Sequence, residues 1–85
     1  MSAPAKSKAA LETVLTLKVA APTAAEASTA AQLYAQVSND PEAANALKCQ
    51  AVTLRDELAA PSTSTDAARR EQAMRQAIGF AKANV

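Results

Sequence analysis

Residues 39–61, NDPEAANALKCQAVTLRDELAAP, carry the clearest helical pattern in this 85-residue chain. Apolar side chains recur there at intervals of three and four residues, which places them on one face of a helix. Small residues alternating with large ones let a neighbouring helix approach closely. We therefore predict a helix-packing or partner-binding face formed by Ala44, Leu47, Ala51, Leu54 and Leu58.

The flanking residues predict where this helix begins and ends. Asp40 can accept hydrogen bonds from free N–H groups as an N-cap, and Pro41 suits the first helical position. Glu42 then places a negative charge at the positive end of the helix dipole. Because Pro61 cannot continue a helix, the sequence predicts a helix over about 41–60.

A capping pattern marks the helix before it. Thr23 can cap the N-terminus while Glu26, three residues later, reaches back to the N–H of the capping residue. Pro22 is expected to end any helix or strand that precedes this one. We predict a helix over about 23–38, with a buried stripe of Ala27, Ala30, Tyr34 and Val37.

The last predicted helix covers about residues 66–83, and its apolar stripe consists of Met74, Ala77, Ile78 and Ala81. Phe80 lies well off that stripe, which indicates a different contact. The hydroxyl-rich stretch 61–65 is typical of a linker and helix cap.

Residues 7–20 fit two structures. The stretch SKAALE favours a helix, and Leu11, Val14 and Leu15 would share one of its faces. Over about 13–19, however, β-branched residues and partial alternation fit a strand with Leu15, Leu17 and Val19 on one side. We predict a helix over about 7–20 and keep the strand as the alternative.

Composition argues against several classes of function. The chain has no histidine, which removes the commonest general base and metal ligand, and it has one cysteine. Cys49 is expected to be a small buried or half-buried apolar side chain. The carboxylates are dispersed and the serines have no activating base. We predict no enzymatic activity, cofactor or metal site.

These patterns predict an all-α fold: one domain over residues 1–85, built as a small alanine-rich bundle of three to four short helices. Residues 1–6 are expected to form a loose N-terminal arm. No apolar run reaches membrane-spanning length, and a single thiol suits a reducing compartment. We therefore expect a cytoplasmic protein with no membrane association.

The stretch TLKVAAPTAAEASTAAQLYAQVSNDPEAANAL (16–47) resembles the strand–helix–turn–helix order of ribbon–helix–helix DNA-binding proteins. The resemblance implies a dimer with paired strands, in which Thr16 and Lys18 would face the DNA. Arg69 and Arg70 on the last helix are further candidate contacts, although they project about 100° apart. Net charge is +1, so no strong basic field supports this alternative.

The function predicted from the sequence is therefore a non-enzymatic helical module for protein–protein interaction or assembly, as in an adaptor, a chaperone-like protein or a structural subunit. Its expected partner is another protein or further copies of itself. The alternative is a small dimeric DNA-binding regulator that uses the strand at about 13–19.

Overall fold

The computed structural model of the chain describes residues 3–60 and 66–85. Helices account for 74% of this part of the chain, and none of its residues belongs to a strand. The predicted all-α bundle is confirmed. The four described helices are α1 (Ala5–Val14), α2 (Ala24–Ser38), α3 (Asn45–Ala59) and α4 (Ala67–Asn84).

Helix α2 occupies the centre of the bundle and packs against each of the other three helices. Helices α1 and α3 each contact α2 and α4. Many interior positions hold alanine, which lets the helices pack at short distance. A few larger side chains fill the space between the alanines and are fully buried: Leu11, Val14, Tyr34, Val37 and Met74.

Tyr34 joins α2 to α4 at the middle of the core. Its side chain has 0% exposure, and its hydroxyl donates a hydrogen bond to the backbone carbonyl of Ala77. The Tyr34 ring also lies 6.0 Å from the ring of Phe80, tilted by 56°. A buried phenol needs such a partner, because an unpaired hydroxyl in an apolar core is destabilising.

Helices α2 and α4 lie within about a residue of their predicted bounds. The predicted capping box is present: Thr23 accepts a hydrogen bond from the Glu26 N–H at 3.1 Å, and Glu26 accepts one from the Thr23 N–H at 3.0 Å. Asp66 caps α4 by accepting from the N–H groups of Ala68 and Arg69. All eight stripe residues predicted on these two helices are buried.

Helix α1 ends at Val14, earlier than predicted, and the alternative strand over 13–19 does not form. Turn hydrogen bonds follow the helix, from Thr16 N–H to the Thr13 carbonyl and from Leu17 N–H to the Val14 carbonyl. Over residues 15–19 the side chains alternate between core and solvent, and those packed against the core are Leu15, Leu17 and Val19. A continued helix would turn some of these three side chains away from the core, since it advances about 100° per residue.

Helix α3 begins at Asn45 rather than at the predicted position 41, and Asp40 does not cap it. Residues 41–43 form a turn in which the Ala43 N–H donates to the Asp40 carbonyl at 3.1 Å. The Asp40 side chain instead accepts from the Ser7 hydroxyl and from the Glu42 N–H. The predicted stop at Pro61 and the linker at 61–65 lie outside the described residues.

The connection between α1 and α2 is held by the first turns of α4. Glu71 accepts a hydrogen bond from the Ala21 N–H at 3.0 Å, and the Arg70 Nε donates to the Pro22 carbonyl at 2.7 Å. Ala21 has a φ of 48°, in the left-handed region that disfavours residues with a Cβ atom. Its backbone conformation is therefore strained and is maintained by these contacts.

We expect Leu54→Ala to lower the free energy of unfolding by about 2–5 kcal/mol, because Leu54 is 7% exposed and belongs to the core. Val52→Ala is the matched control on the same helix, at a residue 36% exposed, and should cost less than about 0.5 kcal/mol. Chemical unfolding followed by circular dichroism measures both values. Equal losses would show that the core-facing side of α3 has been assigned incorrectly.

Ala21→Gly should stabilise the protein by up to about 1.5 kcal/mol. Relief of the left-handed strain gains about 1–2 kcal/mol, and the greater freedom of glycine in the unfolded chain offsets about 0.5–1 kcal/mol of it. The control is Ala20→Gly, at a neighbour without a positive φ, which should destabilise. Thermal unfolding measures the stability of both variants. A loss of stability in Ala21→Gly would show that the backbone at Ala21 is not strained.

Candidate functional site

An open apolar groove of about 450 Å³ lies where the start of α3 meets the end of α4. Residues 3 and 4, which precede α1, form its third side. We call it the Leu47–Phe80 groove. Its apolar walls are Ala3, Pro4, Ala44, Ala46, Leu47 and Phe80, and its polar lining consists of Glu42, Gln50 and Asn84.

The structure divides the predicted helix-packing face between the core and this groove. Ala51, Leu54 and Leu58 are buried in the core. Leu47 is half-buried and Ala44 is exposed, and both line the groove. The buried residues of α3 therefore lie in its middle and end, while Leu47 in its first turn packs against the edge of the core and also lines the groove.

Phe80 belongs to both the core and the groove. The tilted contact with Tyr34 holds the ring from the inner side, and the half-buried ring also lines the groove. Its position off the α4 stripe was the sequence signal for a separate contact. The pairing with Leu47 was not predicted, because the two residues belong to separate helices with no shared sequence pattern.

Cys49 is exposed, contrary to the sequence expectation. It lies two residues before the buried Ala51, and two residues turn a helix by about 200°. The thiol therefore lies on the outer side of α3, outside the groove lining. Val52, also exposed, belongs to the same outer side.

A buried polar pair lies beside the groove. The Ser7 hydroxyl donates a 2.6 Å hydrogen bond to Oδ2 of Asp40, and each residue is 1% exposed. The other oxygen, Oδ1, accepts from the Glu42 N–H at 3.0 Å. These bonds, that of Ser7 first, hold the pKa of Asp40 below its usual 3.8, and the charge of Lys6 adds a smaller effect. No sequence pattern indicates this pair, because its members are 33 residues apart.

The residues proposed for nucleic-acid contact do not form a basic cluster. Thr16, Lys18 and Arg69 are exposed, whereas Arg70 is half-buried and bonded to the Pro22 carbonyl. Glu71 lies beside the two arginines and pairs with Arg75 at 3.3 Å. The strand that would carry Thr16 and Lys18 is replaced by a helix end and a turn.

A second groove of about 420 Å³ lies between the end of α3 and the start of α4. Its lining is more polar and includes Glu57, Arg69, Gln72 and Gln76. Two other lining residues, Ala60 and Ala68, flank the segment 61–65, which is outside the described residues. We assign no site to this groove.

No protein-family model, curated protein or solved structure matches this chain. Over residues 3–60 and 66–85, no group of three or more His, Cys, Asp or Glu side chains is placed to hold a metal ion. None of the helices in those ranges combines the length and apolar character needed to cross a membrane. Functional assignment therefore depends on the chemistry of the described residues.

The Asp40 carboxylate should make the stability of the protein sensitive to acid. Its pKa is lower in the folded state, so its contribution is complete above the ordinary value of 3.8 and is lost as the pH falls through the folded value. We expect the free energy of unfolding to decline more steeply with acid in the wild type than in Asp40→Asn.

Denaturant unfolding between about pH 6 and pH 2 measures the two slopes. Glu26→Gln is a useful comparison, because the Thr23 N–H also lowers the pKa of Glu26, far from the groove in sequence. In each variant the free energy of unfolding should depend less steeply on pH than it does in the wild type. Parallel curves for the wild type and Asp40→Asn would show that the Asp40 hydrogen bonds do not favour the ionised form.

Proposed function

We propose that this protein is a non-enzymatic interaction module that binds a basic amphipathic helix of another protein in the Leu47–Phe80 groove. Such a module serves as an adaptor, a chaperone-like protein or a structural subunit. The observation that carries the proposal is the groove itself, where two large apolar side chains on different helices remain partly open to solvent. Half-exposed apolar side chains that converge on one concave site are typical of binding sites.

The size of the groove favours several side chains from one partner segment. Its volume of about 450 Å³ is roughly three times the ~150 Å³ cavity that accepts benzene. Apolar side chains at positions i, i+3, i+4 and i+7 of an amphipathic helix can enter such a groove together. Because Ala44 and Ala46 have small side chains, a partner helix can closely approach the groove wall next to Leu47.

Charge favours a basic partner. Among the described residues of the groove lining, only Glu42 has an ionisable side chain, since Gln50 and Asn84 are neutral amides. The start of α3 and the end of α4 carry partial charges of opposite sign, about +0.5 and −0.5, which largely offset each other at the groove. Glu42 therefore gives the described lining a negative charge, and a lysine or arginine at the edge of the partner helix complements that charge.

The test uses three synthetic helical peptides of about 14 residues, long enough for about four turns. They share leucines at positions i, i+3, i+4 and i+7 and carry lysines, glutamines or glutamates between them. We expect the lysine peptide to bind about fivefold more tightly than the glutamate peptide, an effect of the size of one exposed ion pair. Fluorescence anisotropy of labelled peptides measures the affinities.

Variants of the protein locate the binding surface. Leu47→Asp should abolish binding, while Val52→Asp, the same change at an exposed α3 residue outside the groove, should leave it intact. Glu42→Gln should remove the preference for the lysine peptide. Retained binding in folded Leu47→Asp, or failure of all three peptides to bind, would overturn the proposal. Self-association that disappears in Leu47→Asp would instead identify a second copy as the occupant.

A further inference from the structure

We infer that Ser7 and Asp40 are positioning residues of the Leu47–Phe80 groove, and that their hydrogen bond fixes residues 3 and 4 relative to the Glu42–Leu47 side. This inference rests on the proposed function of the groove. Neither residue lines the groove, so both act through the residues they hold.

The Asp40 carboxylate is bonded at once to α1, which follows the lining residues 3 and 4, and to Glu42 in the groove lining. Oδ2 accepts the hydroxyl proton of Ser7, in the first turn of α1. Oδ1 accepts the backbone N–H of Glu42, a residue of the groove lining. One buried group therefore connects two segments that are distant in sequence, and loss of either bond leaves a carboxylate oxygen without that donor.

The connection from Ser7 to the groove is short and stiff. Pro4 is the residue before the first turn of α1, and three residues of helix rise only about 4.5 Å. The Lys8 N–H donates to the Pro4 carbonyl at 2.7 Å, which ties Pro4 into the helix. A shift of α1 at Ser7 is therefore transmitted to Pro4 with little loss.

A backbone hydrogen bond fastens the same segment to the third side of the groove. The Ala3 N–H donates to the Asn84 carbonyl at the end of α4, at 3.2 Å. Residues 3 and 4 are thus held between α4 through Ala3 and the α2–α3 turn through Ser7. Without the Ser7–Asp40 bond, α1 still packs against the core through Leu11 and Val14, but its first turn loses its connection to the α2–α3 turn.

A role in positioning also accounts for the chemistry of the pair. Burying a serine and an ionised aspartate gives little net stability compared with apolar residues of similar size. A directional 2.6 Å bond does, however, allow only a narrow range of relative positions for α1 and the turn. That restriction is useful where the groove must keep its shape before a partner binds.

The test measures the affinity of the lysine peptide for Ser7→Ala, Asp40→Ala and the double variant, at a temperature where all are folded. Each single variant should bind about three- to tenfold more weakly than the wild type. Because Asp40→Ala already removes the acceptor of the Ser7 hydroxyl, the double variant should lose little more than Asp40→Ala alone. Leu58→Ala is the matched control: it removes buried apolar volume about 16 Å along α3 from Leu47 and should leave the affinity unchanged.

A second measurement uses the wild type alone and does not depend on the folding of any variant. If docking of α1 increases the affinity for the peptide, then binding of the peptide must stabilise docked α1 by the same free energy. This effect is largest at a saturating concentration of the lysine peptide. We expect slower hydrogen exchange at the Lys8 amide, whose acceptor is Pro4. Wild-type affinity in Ser7→Ala, or exchange at Lys8 that the peptide leaves unchanged, would overturn the inference while the proposed function stands. A wild type that binds none of the three peptides would overturn the proposed function itself.

Discussion

Close approach of the helices is the constraint on which the rest of this structure depends. Alanine supplies much of the interior, and each alanine buries little apolar surface, so the helices gain stability only where their backbones come near each other. The few large side chains then decide the arrangement. Tyr34 joins α2 to α4 in two ways, because its ring contacts Phe80 and its hydroxyl donates to the Ala77 carbonyl. The same contact supports one side of the groove.

Local chemistry explains which helices could be predicted. Helix α2 has its capping box within four consecutive residues, and α4 has its cap, Asp66, next to its first turn. The errors at α1 and α3 arise from long-range contacts. Asp40 precedes a proline and looks like an N-cap, yet Ser7, 33 residues away, takes up one of its oxygens, and α3 begins five residues later. Helix α1 stops because Leu17 and Val19 reach the core from a non-helical segment.

Of the nine described residues that line the groove, two belong to the helix face predicted from sequence. The stripe on α3 contains Leu47 and Ala44, but periodicity cannot distinguish a residue that reaches the core from one that projects past it. That difference depends on where the neighbouring helices end. The contribution of Phe80 and of residues 3 and 4 depends on tertiary packing of segments from both ends of the chain. Sequence pattern describes one helix at a time and cannot contain this information.

The burial of Tyr34 has a spectroscopic consequence. The chain has no tryptophan and only this one tyrosine, so its near-ultraviolet absorption comes mainly from a single phenol in the centre of the bundle. Desolvation raises the pKa of that phenol well above its ordinary value of 10.0. In alkaline solution the folded protein is therefore expected to keep this phenol neutral to a higher pH than the unfolded chain does. One native chromophore thus reports the integrity of the whole fold without a label.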